Sequence, residues 1–170
     1  MLLSEIKNWY AVYVNSRAEK KVTELLLLKN IEVYLPLIKT MKQWSDRKKL
    51  VEMPLLNGYV FVHITDIEKE KVLQTKGVVS FVKSERKSAI IKQVEIDRLK
   101  QLISLGYHME TSSLKIDYRE GDKIKIISGV LKGIEGFVTQ NKEGKFIDIV
   151  LESIGQTIKV KLPEEIVTPI

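Results

Sequence analysis

The chain has 170 residues, 44% of them hydrophobic and 29% charged, with a formal net charge of +6; this fits a soluble globular protein of one domain or two small ones. It contains no cysteine, which excludes disulfides, thiolate catalysis and cysteine-ligated zinc. No apolar run is long enough to span a bilayer, and Glu5, Lys7 and Asn8 interrupt the N-terminus before a signal-peptide core develops, so a cytoplasmic location is expected.

Trp9-Tyr10-Ala11-Val12-Tyr13-Val14 is β-branched and aromatic and reads as a strand. Ser16 stands three residues before Glu19, the spacing of a capping box. A helix is expected from about Arg17 to Lys29, with Val22, Leu25 and Leu26 on one face and Asn30 as a left-handed stop. Ile31 to Leu37 reads as extended, with Pro36 at an edge or an end. Residues 39–49 carry five basic residues and one acid and read as a loop or a hairpin tip. Trp44 is out of place in a loop that only solvates; it could stack on a base or a partner, or fold back onto the body.

Asn57-Gly58 marks a turn and Tyr59–His63 a strand. Thr65 and Glu68 repeat the capping-box spacing, so a short helix should run to about Thr75 and end at Gly77. Val78–Val82 reads as a buried strand. Ile96, Leu99, Leu102 and Ile103 form a helical stripe, with Gly106 just past the last turn. Residues 1–106 therefore read as an α+β domain, helices against an antiparallel sheet. Residues 107–116 lack a clear period and read as a linker. Residues 117–170 are strand-like throughout, with turns at Asn141–Gly144 and Ile154-Gly155 and unbroken alternation at 157–162. Short strands in so few residues imply a small all-β barrel.

Within the second part, Gly121-Asp122-Lys123-Ile124-Lys125-Ile126 leads into a loop with Gly129 and Gly133 and a strand opened by Gly136. Glycines at this spacing permit positive torsions and close chain approach, as a tightly curved barrel needs. Charge is unevenly spread: residues 1–106 hold 19 basic and 12 acidic residues, residues 107–170 hold 9 and 10. A positive excess confined to the first part favours an acidic partner, nucleic acid first, although solubility alone is the plain alternative.

The glycine-containing run resembles the KOW motif. The first part resembles the N-terminal domain of NusG, through the Trp9-Tyr10 strand, Gly58-Tyr59-Val60-Phe61-Val62 and Lys76-Gly77-Val78-Val79-Ser80-Phe81-Val82. Together they resemble the NusG family over nearly the whole chain and in the family's order. Pro54-Leu55-Leu56-Asn57-Gly58-Tyr59-Val60-Phe61-Val62 and Thr75-Lys76-Gly77-Val78 are similar to the specialised RfaH and UpxY-type members. The resemblance implies an RNA polymerase-binding domain at 1–106, a linker at 107–116 and an SH3-like KOW barrel at 117–170. It implies a non-catalytic regulator of elongation and antitermination that suppresses pausing or termination at specific operons. Such a factor docks on the clamp helices of the largest RNA polymerase subunit, runs near the non-template DNA strand, and recruits ribosomal protein S10 or Rho through its KOW domain.

Matched to that pattern, Tyr13, Leu56, Tyr59, Phe61, Ile96 and Leu99 are the polymerase-binding candidates; each could instead pack the core. Arg17, Lys20, Lys21 and Lys76 are the nucleic-acid-binding candidates, each with a solvated face as the alternative. Leu131 and Ile134 are the KOW partner-binding candidates. RfaH carries a His-Thr-Thr element at the start of its second helix; Glu68-Lys69-Glu70 stands there in this chain, so that interaction does not carry over. No catalytic, cofactor or metal site can be assembled: the two histidines, His63 and His108, fall on a strand and in the linker, and the glycines at 129, 133 and 136 precede no helix. The chain reads as a monomer without a membrane partner. The rival reading, a KOW-containing ribosome- or RNA-binding protein, predicts RNA affinity in a second part whose charge is near neutral.

Overall fold

The strand expected at Trp9–Val14 is the centre of the first sheet. The computed structural model describes residues 5–106, 109–113, 123–127, 132–141, 144–161 and 167–169, and the chain divides into two units, Met1–Gln93 and Val94–Ile170. In the first, β1 (Asn8–Val14) lies between β5 (Tyr59–Ile64) and β6 (Val78–Phe81), and β2 (Glu32–Tyr34) pairs with the far side of β5. A two-residue strand, β9 (Ile90–Ile91), also pairs with β1, at Trp9 and Tyr10, and every pairing is antiparallel. Tyr10, Val12 and Val14 of β1 and Val60, Val62 and Ile64 of β5 form one face. They pack with Val22 and Leu26 of α1 (Glu19–Leu28) and Val72 of α2 (Lys69–Leu73). Each such aliphatic side chain contributes about 1.5–3 kcal/mol when fully buried. The other face of β1 and β5 carries Trp9, Ala11 and Phe61, also buried, so β1 is a two-sided strand and shows no polar alternation.

α1 ends as expected, with Asn30 at φ 58°, but starts differently. Its N-cap is Ala18, which makes no side-chain capping bond. Arg17 takes φ 62° and turns the chain, and the Glu19 carboxylate accepts the Gly58 N–H at 2.7 Å instead of reaching back to a cap. The Ser16 capping box is thus replaced by a tertiary bond from α1 to the Asn57-Gly58 turn. The second box is present: Glu68 accepts the Thr65 N–H at 3.0 Å, starting the 3-10 turn Asp66–Glu68 that runs into α2.

Residues 39–49, read as a loop or a hairpin tip, belong to a regular hairpin. β3 (Leu37–Gln43) and β4 (Lys48–Pro54) pair along their whole length as a separate two-stranded sheet. The Trp44 N–H donates to the Arg47 carbonyl at 2.7 Å and closes the tip. A second small hairpin, β7 (Lys83–Ser84) with β8 (Lys87–Ser88), turns through Glu85 and Arg86, both at positive φ.

The second unit holds most of α3 (Gln93–Ser104), with Ile96, Leu99 and Leu102 buried as the helical stripe predicts. Gly106 follows at φ 67°. The Glu95 carboxylate accepts the Ser153 hydroxyl, which ties α3 to the strands that follow. Those strands are β10 (Met109–Ser113), β11 (Lys123–Ile126), β12 (Glu135–Asn141), β13 (Gly144–Leu151), β14 (Gln156–Val160) and β15 (Val167–Pro169). They form one antiparallel sheet in the order β10-β14-β13-β12-β11-β15. Met109–Ser113, read as linker, is therefore a sheet strand. Its pairing with β14 supplies the order that a weakly periodic sequence does not show.

Candidate functional site

Tyr13 and Tyr59 are cross-strand partners of β1 and β5. Their rings lie 5.1 Å apart, tilted by 53°, and Tyr13 is 39% exposed. Two aromatic rings with polar tips at the end of a sheet make a rigid, partly apolar surface of the sort that partner proteins bind. The four other polymerase-binding candidates behave differently. Leu56, Phe61, Ile96 and Leu99 are all 2% exposed or less. They are core side chains in this structure and offer no surface. For Phe61 the reason is register: it faces Ala11 in the middle of the sheet and stacks near Tyr34. Trp9 is likewise core, stacked on His63 and donating its indole N–H to Gln93 at 2.7 Å.

Arg17, Lys20 and Lys21 fall at the start of α1, just after the strand that carries Tyr13. Val14 donates to the Gly58 carbonyl and Asn15 to the Gly77 carbonyl, so the turns carrying Tyr59 and Lys76 meet the end of β1. Gly77 approaches α1 so closely that a Cβ there would lie 2.7 Å from Val22 Cγ2. This brings the turn that carries Lys76 against the start of α1, and Lys76 and Arg17 are both exposed. Lys20 Nζ donates to the Glu52 carbonyl at the stem of the β3–β4 hairpin, at 2.8 Å. Lys21 is instead paired with Glu24 at 3.2 Å, which cancels its charge locally.

The segment aligned with the RfaH His-Thr-Thr element serves local structure. Glu68 completes the capping box of the 3-10 turn that leads into α2, and Lys69 bridges Asp66 at 2.8 Å and sits 4.5 Å from the centroid of the Tyr10 ring. The Asp66 carboxyl is held below its usual range, first by the bond from Lys69 and then by the Tyr10 hydroxyl.

A family model described as transcription termination factor NusG matches residues 7–100, more than half of the chain. The NusG transcription termination/antitermination protein of Streptococcus pyogenes is 30% identical over 169 residues, covering 91% of this chain and 92% of that protein. The chain belongs to the NusG family. The corresponding protein of Thermus thermophilus is 23% identical over 172 residues, covering 91% and 94%. A solved structure of Thermotoga maritima NusG shares the fold, with a TM-score of 0.58 and 24% identity over 96% of this chain and 97% of that one. The chain is thus a NusG-type transcription termination/antitermination factor.

In the second unit of this NusG-family chain, Ile134 is 4% exposed. Its carbonyl accepts the Ile126 N–H at 2.9 Å, so it belongs to the core rather than to a presented tip. Leu131 lies outside the described residues. Gly133 takes φ +92° as the motif requires, and Gly136 is where two strands meet: a Cβ there would lie 2.8 Å from the Asp148 carbonyl. Among the described residues, no cluster of three His, Asp or Glu could hold a metal ion, and no helix is long and apolar enough to cross a membrane. The sequence reading left 39–49 open between a loop and a hairpin tip and did not extend it into the paired strands β3 and β4. Their signal was present in the opposed runs Leu37–Met41 and Leu50–Pro54, with Ser45-Asp46 as the turn between them.

Proposed function

We propose that the first unit docks on the clamp helices of RNA polymerase through the Tyr13–Tyr59 pair and places Arg17, Lys20 and Lys76 beside the non-template DNA strand. The observation that carries this reading is the aromatic pair of exposed Tyr13 and half-buried Tyr59 set near cationic residues, in a chain of the NusG family. Apolar area flanked by charge suits a polymerase surface lying next to DNA. The second unit then serves recruitment, through an SH3-like KOW fold, of ribosomal protein S10 or Rho. The combined effect is suppression of pausing or termination, as in the operon-specific members that Pro54–Gly58 resembles.

Co-purification with core RNA polymerase tests the docking. The Tyr13→Ala/Tyr59→Ala variant should lose affinity by about tenfold or more, the range expected when a central aromatic anchor is removed. A folded double variant that co-purifies as well as the wild type overturns the proposed surface. A wild-type chain that does not bind overturns the polymerase reading itself.

A further inference from the structure

The geometry points to the tip of the β3–β4 hairpin as a binding site for single-stranded nucleic acid, with Trp44 stacking on an unpaired base and Lys42, Arg47 and Lys49 holding the flanking phosphates. In an antiparallel hairpin, opposed residues share a face, and so do residues two apart along a strand. The register pairs Lys42 with Lys49, and the closing bond sets Trp44 opposite Arg47. These four side chains therefore line one face of the tip. All four are exposed, Trp44 at 54%.

A two-stranded hairpin has no core at its tip in which to bury an indole. Among the described residues no ring or cation stacks on Trp44, and none of Lys42, Arg47, Lys48 and Lys49 is held in an ion pair. The hairpin's exposed aliphatic pair, Met41 with Leu50, lies on the opposite face by the same register. A protein-binding tip would gain most by grouping indole, thioether and leucine. Here the indole is grouped with cations, which is the composition that tracks a phosphate backbone and stacks its bases. Stacking needs an open base face, and a duplex offers none along its length, so an unpaired strand is the fitting ligand. The stem is anchored to α1 by the bond from Lys20 to the Glu52 carbonyl.

The full chain is titrated with oligo(dT), oligo(U) and a duplex of equal length, following tryptophan emission and anisotropy. Single strands should quench the exposed indole. Trp44→Ala should weaken single-strand binding by about tenfold, within the range for losing one aromatic–base stack, and Trp44→Phe should retain part of it. Lys42→Gln with Lys49→Gln should lower the salt slope by about 0.7 for each phosphate that is no longer neutralised. Circular dichroism and the emission of buried Trp9 confirm folding. Preference for oligo(U) identifies a transcript and preference for oligo(dT) a displaced DNA strand; either supports the site. The proposal is overturned if folded Trp44→Ala binds single strands within about twofold of wild type, or if duplex binds as tightly as single strands. It is equally overturned if Trp44→Ala loses polymerase while its oligonucleotide affinity is unchanged. The Tyr13→Ala/Tyr59→Ala variant should keep its oligonucleotide affinity, so this site and the polymerase surface fail separately.

Discussion

Gly136 sits where no side chain fits. A Cβ there would lie 2.7 Å from Ile147 Cγ2 and 2.8 Å from the Asp148 carbonyl oxygen, and the second of these is backbone that cannot step aside. Gly133 differs: its φ of +92° disfavours any side chain, yet nothing lies within 4 Å of the added atom. Gly136→Ala should cost about 1–3 kcal/mol or more through overpacking. Gly133→Ala should cost about 1–3 kcal/mol through backbone strain alone, so Gly133→Asn, which tolerates the left-handed region, should recover much of the loss. Urea unfolding of the three variants checks both statements. Equal behaviour of Gly133→Ala and Gly133→Asn would exclude the torsional explanation. At this scale the glycine spacing was informative because both demands, torsion and proximity, remove the same atom.

Among the elements, the two capping-box spacings had opposite outcomes. Thr65 and Glu68 are local: the Thr65 N–H bond, the largest influence on the Glu68 carboxyl, lowers it below its ordinary value. Thr65→Ala should cost about 1 kcal/mol. Since Glu68 and Asp66 both titrate below their ordinary values of 4.5 and 3.8, their stabilisation is present above those values. It is lost as pH falls through the lowered ones. The wild type should therefore lose stability as the pH drops below about 4, and Glu68→Gln should flatten that dependence in urea titrations at successive pH values. Exposure of Asp66 makes its share the smaller one. Ser16 and Glu19 have the same spacing but a stronger tertiary competitor, the Gly58 N–H. Removing it by Glu19→Ala strands that donor and should cost about 1–3 kcal/mol, measured as a lowered urea midpoint.

For the whole molecule, the described residues from Met109 onward form strands and turns with a single 3-10 turn, and none of them is α-helical. The glycines that shape these turns each weaken a helix by about 1 kcal/mol relative to alanine. Backbone chemical shifts of the full chain should therefore be strand-like across β10 to β15; helical shifts over those residues would overturn a fixed β state for the second unit. The amino-acid sequence by itself determined the three helices, the strands at Trp9–Val14, Tyr59–His63 and Val78–Val82, the turn at Asn57-Gly58 and the confinement of positive charge to the first part. These follow from side-chain periodicity, backbone freedom and composition, which are local quantities. Only the tertiary structure decided which aromatic residues are surface and which are core. Tyr59 and Phe61 lie two apart on the same face of one strand, yet one ends the sheet beside Tyr13 and the other is closed over at its centre. It also decided, between the loop and the hairpin tip open at 39–49, in favour of a paired hairpin, and made part of the apparent linker a strand. Burial and pairing depend on what the rest of the chain brings alongside a residue, and that information is not carried in the neighbouring sequence.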